Sequence, residues 1–427
     1  MEGPAEGATS SASPEASLKI SWAPPSGLLS LSLVNALLRI VTLGIYNFWG
    51  KTEVRKRIWS AVRLDGEPLN YTGTGKELFL GFLIVFVAVI FPLMLATFAA
   101  VFAFGPQSPM VGVVQMLLYG IIFFLTGIAI YRAQRYRLSR TRWRGIRGSL
   151  TGSDKSYAWA YFWTALLIPV TWGWILPWRT TTLQQILTRD TKFGDRPFRF
   201  DAKPGPLYGR FAMFWCGTAV IALAAFGVLA GTLGKFIGGE AVAGIEDEPN
   251  AMDPSKIIEI IAIIYGVLAV AFLFYYVLSA WYRARQINHF AAHTHFEGAT
   301  LKSTVTGGGL VWVALGNFLL TILGWALGFG LFLGIIFLST TINLADPQSA
   351  ISSHQDTATR VAAILGLVVL SAFSGLFSPF VQARNARYLV DNLSLQGHVD
   401  LAKVAQGTDQ GITRGEGLAQ AFDVDAF

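Results

Sequence analysis

Three histidines are the only clustered side chains in the 427-residue sequence that are typical metal ligands: His289, His293 and His295. On a helix, the imidazoles of His289 and His293 would face the same way and could bind zinc or a similar metal, with Asn288 or Glu297 completing the shell. No cysteine supports such a site, and His295 lies near a predicted helix end. The sequence favours a surface histidine cluster, with metal binding as the alternative.

A glycine-rich stretch at residues 71–76, with the sequence YTGTGK, is the second candidate for chemistry. A phosphate-binding P-loop needs a wider glycine spacing and a Ser or Thr after the lysine, whereas Lys76 is followed by Glu77. We therefore expect a hinge before a membrane helix. No Ser/His/Asp, Cys/His or paired-carboxylate arrangement stands out, so the sequence predicts no enzyme, no catalytic residue and no cofactor.

The composition indicates where these residues lie. Apolar residues make up 53% of the chain, charged residues only 14%, and the mean hydropathy is +0.49. A helix crosses a bilayer with about 20 apolar residues, and soluble helices rarely stay wholly apolar beyond about 14. Six uncharged runs are long enough, at residues 78–104, 110–131, 211–234, 260–282, 310–342 and 361–383. The sequence therefore predicts an all-α polytopic membrane protein with about six transmembrane helices.

One motif occurs twice in the chain. Residues 36–49 read ALLRIVTLGIYNFW and residues 165–178 read ALLIPVTWGWILPW, sharing the pattern A-L-L-x-x-V-T-x-G-x-x-x-x-W. We call these segments motif 1 and motif 2, and we expect their shared positions to be architectural. The central ones are Val41, Thr42, Gly44 and Trp49 in motif 1, and Val170, Thr171, Gly173 and Trp178 in motif 2.

The charged loops predict the topology of these motifs. Residues 49–77, 132–156 and 179–210 are rich in Lys and Arg, which keeps loops in the cytoplasm, whereas residues 235–259 are acidic. Motif 2 has a basic loop on each side, and one crossing cannot leave both inside. We therefore expect both motifs to be re-entrant, with the helix broken at V-T-x-G, and both termini to be cytoplasmic. The alternative is two conventional spans with one basic loop outside.

A weaker third copy supports re-entry. Residues 317–320 resemble residues 35–38, and Gly375 and Phe380 match Gly44 and Trp49 at a common spacing. In this copy the re-entrant segment would have been lengthened into two full transmembrane spans. The predicted organisation is a disordered tail at 1–27, membrane modules at 28–131, 132–282 and 283–402, and a flexible tail at 403–427.

Small cytoplasmic helix-turn-strand cassettes form the second recurring unit. A basic helix leads to a turn glycine and then to residues that alternate in polarity, which is typical of a short strand. The predicted basic surface includes Arg55, Arg57, Arg132, Arg135, Arg384 and Arg387. Such clusters attract anionic lipid head groups by about 1 kcal/mol per residue. We expect membrane lipids as partners and no nucleic acid, with another anionic ligand as the alternative.

Residues 41–52, 63–67 and 71–78, which read VTLGIYNFWGKT, RLDGE and YTGTGKEL, resemble the YjgN-like bacterial inner-membrane proteins. The resemblance covers most of residues 20–425 and is least specific in the third module, where Asn288, His289 and His293 replace basic and aromatic positions. The resemblance implies an integral inner-membrane location and repeated modules, and it implies no established activity.

Taken together, these features favour a non-enzymatic protein of the bacterial cytoplasmic membrane that is transporter-like, channel-like or lipid-interacting. The alternative is a scaffold or envelope-organising protein whose repeats serve packing alone. An enzyme acting on lipids has the least support, because no acid–base pair is present. Arg39 is the single charged side chain within either motif, so no dense proton relay is predicted.

Overall fold

The computed structural model describes residues 18–239, 254–345, 354–399 and 403–407. Helices dominate this part of the chain: α1 Leu28–Val41, α2 Asn47–Ala61, α3 Gly75–Val85, a π-helical turn Phe86–Ile90, α4 Phe91–Phe104, α5 Pro109–Arg140, α6 Asp154–Val170, α7 Leu176–Asp190, α8 Gly205–Gly239, α9 Pro254–Ala292, α10 Gly307–Ala345, α11 His354–Ser374 and α12 Ser378–Asp391.

Six helical segments in the described residues are long and apolar enough to cross a membrane: Gly75–Phe104, Pro109–Arg140, Gly205–Lys235, Ile258–Ala292, Gly307–Ser339 and Arg360–Asp391. Their large apolar side chains, such as Phe102 and Met116, point outward and are exposed. A surface of this kind is stable against lipid and would be costly in water. The predicted all-α polytopic membrane fold is therefore confirmed.

Twelve short antiparallel strands lie between the described helices: β1 Ile20–Trp22, β2 Val62–Leu64, β3 Glu67–Pro68, β4 Asn70–Tyr71, β5 Thr141–Trp143, β6 Ile146–Leu150, β7 Thr191–Phe193, β8 Arg196–Pro197, β9 Arg199–Phe200, β10 Thr294–Phe296, β11 Ala299–Ser303 and β12 Leu393–Gln396. Three hairpin turns place two consecutive residues at positive φ, as a tight antiparallel hairpin requires. These turns are Asp65-Gly66, Arg144-Gly145 and Glu297-Gly298.

Strand pairing joins distant parts of the sequence. The hydrogen-bonded orders are β1-β2-β3, then β4-β5-β6-β7-β8, then β9-β10-β11-β12. Leu69 alone separates β3 from β4, and Phe198 alone separates β8 from β9. The first and last strands also approach each other, with Cα atoms of β1 and β12 within 8 Å. We call β1–β12 together the hairpin layer.

The chain divides into two compact units. Unit 1 comprises Met1–Ala202, Ala291–Ser303 and Gly316–Phe427, and therefore holds the whole hairpin layer and both motifs. Unit 2 comprises Lys203–Phe290 and Thr304–Leu315. The sequence-based division into three consecutive modules stays a prediction.

Each unit has its own packing. In unit 1, Leu28 of α1, Val54 and Ile58 of α2 and Ala383 of α12 form one buried cluster. A second cluster in unit 1 joins α5, β6, α6 and α7. In unit 2, aromatic rings connect α8 to α9, and the Phe211 and Tyr282 ring centroids lie 5.4 Å apart.

Both predicted tails are partly ordered. Residues 20–22, inside the predicted disordered tail 1–27, form β1 and pair with β2. In the predicted flexible tail, Val404 is buried, and Asp195 donates its backbone N–H to the Ala405 carbonyl. Those parts of the tail predictions were wrong, because local composition cannot show a pairing partner that lies far along the chain. Residues 1–17 and 408–427 lie outside the described residues.

Candidate functional site

Both motifs form two helices separated by a short turn. In motif 1, α1 ends at Val41 and α2 begins at Asn47; in motif 2, α6 ends at Val170 and α7 begins at Leu176. The break therefore falls at V-T-x-G, as predicted. In each turn the two residues after the threonine have positive φ: 49° and 92° at Leu43-Gly44, and 51° and 81° at Trp172-Gly173.

The glycine shared by the two motifs closes the first helix of each motif in the same way. The Gly44 N–H donates to the Arg39 carbonyl at 2.8 Å, and the Gly173 N–H donates to the Ile168 carbonyl at 2.8 Å. This six-to-one bond is the mark of a Schellman-type helix end, in which a left-handed residue satisfies carbonyls that have no helical partner. A glycine adopts that conformation without a Cβ penalty.

The threonine shared by the two motifs links the two helices of each motif. The Thr42 hydroxyl donates to the Leu38 carbonyl at 2.6 Å and accepts the Tyr46 N–H at 2.9 Å. The Thr171 hydroxyl donates to the Leu167 carbonyl at 2.8 Å, and it accepts the N–H that follows the turn at 3.3 Å. The threonine thus serves the last turn of one helix and the first turn of the next.

The third copy has a looser turn. Between α11 and α12, Ser378 donates its N–H to the Gly375 carbonyl at 3.1 Å, and Leu376 donates to Phe373 at 3.0 Å. These bonds correspond to two of those in motif 1. Gly375, however, is not among the described residues with positive φ, so this turn lacks the left-handed closure of the other two.

Strand pairs fix both ends of each motif on one side. β1 precedes motif 1 and pairs with β2, which follows it. β6 and β7 flank motif 2 in the same way, and β11 and β12 flank the segment from α10 to α12. Paired strands lie about 4.8 Å apart, so they cannot lie on opposite sides of a hydrocarbon layer about 30 Å thick. This pairing places the two ends of each motif next to each other, which favours the re-entrant alternative; re-entry itself stays a prediction.

The tips of both turns are apolar and exposed. Val41 and Leu43 in motif 1 are each 72% exposed. Val170 and Trp172 in motif 2 are 73% and 82% exposed. An apolar surface of this kind at the end of a helical hairpin is typical of a membrane or partner contact.

A cleft of about 430 Å³ lies between motif 1 and α11, within unit 1. We call it the Arg39 cleft. Motif 1 contributes Arg39, Leu43, Gly44 and Asn47, and α11 contributes Ile364, Leu367, Val368, Ser371 and Ala372. Its volume is in the usual range for small-molecule sites, about 300–1,000 Å³.

Arg39 brings an uncompensated charge to this cleft. Its Nε atom is buried without a hydrogen-bond partner, and no hydrogen bond or ion pair joins the side chain to another described residue. The absence of a side chain at Gly375 makes room for the guanidinium, because a Cβ there would lie 2.7 Å from Arg39 Nη1. One turn earlier on α1, the Asn35 amide is buried, and neither of its polar atoms has a partner among the described residues.

The predicted basic residues mostly make structural contacts. Arg57 donates to the Ser26 and Gly27 carbonyls at 2.8 Å, which anchors the start of α1. Arg135 donates to the Gly152 carbonyl. The remaining contacts join Arg132 to Asp154, Arg384 to Asn317 and Arg387 to Asp391.

Arg55 does not lie on the predicted basic surface. It is only 4% exposed, and its guanidinium donates to the Tyr71 hydroxyl at 3.5 Å. Tyr71 and the rest of β4 pack against α2 at this point. β4 lies beyond the end of α2 in the chain, so the charge pattern of the helix alone could not show that Arg55 is buried.

The contact with Arg132 helps to lower the pKa of the Asp154 carboxyl group. Burial alone would raise the pKa of Asp154, but the hydrogen bond and charge of Arg132 outweigh it, so this pKa lies below its usual value. The nearest Arg132–Asp154 distance is 2.6 Å, and the Asp154 side chain is largely buried. Since Asp154 begins α6, this pair attaches the start of motif 2's helix to the end of α5.

The histidines are engaged in hydrogen bonds. His289 Nε2 lies 2.9 Å from the Lys203 carbonyl, and His295 Nδ1 lies 2.8 Å from the Thr300 hydroxyl. In the part of the chain that the structure describes, no three His, Cys, Asp or Glu side chains are grouped closely enough to hold a metal.

The glycine-rich stretch opens a helix. Thr74 caps α3 by accepting the Glu77 N–H at 3.4 Å. Gly75 packs directly on Trp49, because a Cβ at this position would lie 2.6 Å from the Trp49 ring. Close backbone packing therefore accounts for this glycine without a bound phosphate.

Together, the six apolar helices, the same-side helical hairpins and the hairpin layer define a polytopic α-helical membrane protein. The chain belongs to the family described as bacterial proteins of unknown function (DUF898), which matches residues 25–421. This family assignment agrees with the resemblance seen in the sequence.

Curated relatives share the membrane character. The chain is 27% identical over 144 residues to "Inner membrane protein YjgN" of Escherichia coli K12, covering 34% of this chain and 33% of the relative. It is 27% identical over 140 residues to the protein of the same name from Salmonella typhimurium, covering 33% of each chain. The match thus spans about a third of these relatives. No solved structure matches the chain.

Proposed function

We propose that this chain is a non-enzymatic protein of the bacterial inner membrane whose re-entrant hairpins bind lipids of the cytoplasmic leaflet. The observation that carries the proposal is the combination, in both motifs, of paired flanking strands and an exposed apolar turn. A hairpin that leaves one side, returns to it and exposes an apolar tip gains free energy by burying that tip in the adjacent leaflet. The name of the relatives supports the inner-membrane location.

Charge supports a cytoplasmic hairpin layer. The basic segments 49–77, 132–156 and 179–210 supply β2–β9, and such segments remain on the cytoplasmic side. On this orientation both termini are cytoplasmic, and the basic side chains that remain exposed lie near anionic head groups. They contribute about 1 kcal/mol each to lipid attraction.

Depth measurements test the insertion of the tips. In a Cys216→Ala background, single cysteines at Leu43 and Trp172 carry nitroxide labels in reconstituted protein, and Arg63→Cys on β2 is the matched control. We expect labels at the two tips to be relaxed mainly by oxygen, which concentrates in bilayers, and the control label mainly by a water-soluble nickel complex. Equal nickel access at all three positions would contradict the proposal.

Cysteine labelling tests the orientation. Lys51→Cys and Arg199→Cys lie on the segments after motif 1 and motif 2. In intact cells an impermeant maleimide is expected to label neither, and both are expected to react after the membrane is permeabilised. Reaction of either cysteine from outside would overturn the cytoplasmic placement.

Transport is the second candidate function, and the Arg39 cleft is the observation that favours it, because broken helices around a charged cleft are a frequent transporter device. Solute flux in proteoliposomes distinguishes the two. Flux that Arg39→Gln abolishes would support transport. Lipid selectivity without flux would support the lipid-binding role, and a stable protein partner with neither property would favour the scaffold.

A further inference from the structure

The Arg39 cleft has a cationic group without a counter-ion among the described residues. A guanidinium keeps its charge at all physiological pH values, so burial cannot be relieved by loss of a proton. An unpaired charge in an apolar setting is unfavourable. Arg39 is nevertheless held in the cleft, with room left for it at Gly375. An anion from outside the chain would supply the missing partner.

Comparison of the two motifs shows that the turn does not require these polar groups. Motif 2 makes the same closing bonds as motif 1, yet it carries Ile168 where motif 1 has Arg39, and Leu176 where motif 1 has Asn47. Arg39 and Asn47 both line the cleft. Only motif 1 has polar side chains at these two positions. Since motif 2 forms the same turn without them, they serve a role other than forming the turn.

The lining of the cleft matches an amphiphile. Arg39, Asn47 and Ser371 offer hydrogen-bond donors, while Ile364 and Leu367 of α11 offer an apolar wall. Ile364 and Leu367 are more than half exposed, and they lie within a candidate membrane span. A ligand in the cleft would thus have its charged end at Arg39 and an apolar end along the lipid-facing helix.

We propose that the Arg39 cleft binds the phosphate of an anionic phospholipid. Arginine binds phosphate oxygens through two parallel hydrogen bonds, and the Asn47 amide and Ser371 hydroxyl are further donors in the lining of the cleft. The acyl chains lie along α11. This assignment rests on the proposed insertion of motif 1 into the membrane, and it names the class of lipid that motif 1 holds.

Binding of phosphatidylglycerol to the purified full-length protein in detergent tests the site. Lipid adducts are counted by native mass spectrometry as the lipid concentration is raised. We expect Arg39→Gln to weaken the tightest adduct about tenfold, the size of one charge-assisted interaction. Asn47→Leu, which installs the motif 2 residue, is expected to weaken it less. The matched control Arg63→Gln removes an equal charge from exposed β2 and is expected to leave the adduct within about twofold. Equal binding by wild type and Arg39→Gln would overturn the site.

Two further ligands identify the source of the phosphate. Phosphatidylcholine, which has no net charge, is expected to bind more weakly than phosphatidylglycerol, and inorganic phosphate is expected not to displace the lipid. Displacement by inorganic phosphate at concentrations similar to those of the lipid would show a soluble anion site and overturn the lipid assignment. Equal binding of both lipids would overturn the requirement for net negative charge.

Thermal unfolding separates ligand binding from folding. Because Arg39 is unpaired, Arg39→Gln is expected to unfold at the same temperature as wild type or higher without lipid, and to lose the rise that phosphatidylglycerol gives wild type. Arg39→Lys, which keeps the charge, is expected to retain part of that rise. Loss of the adduct in both variants, together with a lower unfolding temperature, would overturn the binding role.

The depth measurements separate this inference from the proposed function. If the motif tips are inserted in the bilayer but Arg39→Gln binds lipid as wild type does, this inference alone is refuted. If the tips are exposed to water, the proposed function is refuted.

Discussion

At the scale of single residues, the shared letters of the two motifs have separate physical roles. The threonine hydroxyl bonds a carbonyl before the turn and an N–H after it, and the glycine adopts the left-handed conformation that ends the first helix. The final tryptophan of motif 1 packs on Gly75 at the start of α3. The roles of the threonine and the glycine, which are the same in both motifs, explain why T-x-G recurs.

Gly44→Ala should destabilise the protein through its backbone alone. Nothing lies within 4 Å of a Cβ at Gly44, so no clash contributes, and the left-handed conformation costs a non-glycine residue about 1–2 kcal/mol. Gly112→Ala in α5, also with open space around it, is the control and should be neutral or slightly stabilising. Thermal unfolding in detergent compares them, and equal midpoints for the two variants would contradict the assigned turn.

Thr42→Val should lower stability by about 1–2 kcal/mol, because an isosteric side chain removes both hydrogen bonds of the hydroxyl and leaves the Tyr46 N–H without its acceptor. Thr42→Ser keeps the hydroxyl and serves as the control, with a smaller effect. The midpoints of thermal unfolding check the order. If serine and valine were equally damaging, the hydroxyl would not be the cause.

At the scale of elements, each motif's helical hairpin is attached by its ends as well as by its turn. Arg57 holds the start of α1, and the Arg132–Asp154 pair holds the start of α6. In motif 2, α6 also lies close against α5, since a Cβ at Gly127 would be 2.8 Å from the Ala158 Cα. Small residues permit such close helix contact in membranes.

The Arg132–Asp154 pair should make stability depend on pH. The pKa of Asp154 lies below its ordinary value of 3.8, so the pair's contribution is complete above that value and is lost as the pH falls through the lowered pKa. Asp154→Asn should therefore be less stable than wild type at neutral pH, with the gap closing in strong acid. Thermal midpoints across this range measure the gap.

The exposed carboxylate of Glu53, paired with Lys56, offers a matched control. Glu53→Gln makes the same change of carboxylate to amide at the surface, where ion pairs contribute about 0–1 kcal/mol. It should show little difference from wild type at neutral pH. A gap for Asp154→Asn that stayed constant into strong acid would mean that the ion pair is not its source.

At the scale of the whole chain, the hairpin layer decides the topology. The pairs β4–β5 and β6–β7 join segments of the chain that are separated by helices. Because paired strands lie side by side, we expect the segments that supply the layer to share one side of the membrane. In chain order, α3/α4 and α5 lie between β4 and β5, α8 and α9 lie between β9 and β10, and α10 and α11 lie between β11 and β12.

Cross-linking tests the layer directly. In a Cys216→Ala background, Ser149→Cys and Lys192→Cys occupy paired positions of β6 and β7. Facing residues in such pairs have Cβ atoms about 5 Å apart, within reach of a disulfide after a small shift. Oxidation should cross-link them efficiently. Ser149→Cys with Lys302→Cys, which sits on β11 and pairs with Ser394, is the control and should not cross-link. Equal yields would contradict the strand order.

The sequence could predict features that depend on neighbouring residues. The six apolar runs and the breaks at V-T-x-G follow from local hydropathy and backbone preference, and both are present in the structure. The expectation that both ends of motif 2 lie on one side followed from loop charge, and the pairing of β6 with β7 is consistent with it. By contrast, the burial of Arg55 under Tyr71 and the pairing of β1 with β2 depend on segments that are distant in sequence.

The sequence alone thus determined that the chain crosses a membrane about six times, that it repeats a helix-breaking motif and that Arg39 is the one charge inside that motif. Only the tertiary structure decided what faces Arg39. Helix periodicity and charge report on a residue and its near neighbours, whereas a cleft forms where α1 and α11, more than 300 residues apart in the chain, come together. Contacts of α1 with α11 and of β1 with α12, which no local pattern encodes, bring these distant segments side by side.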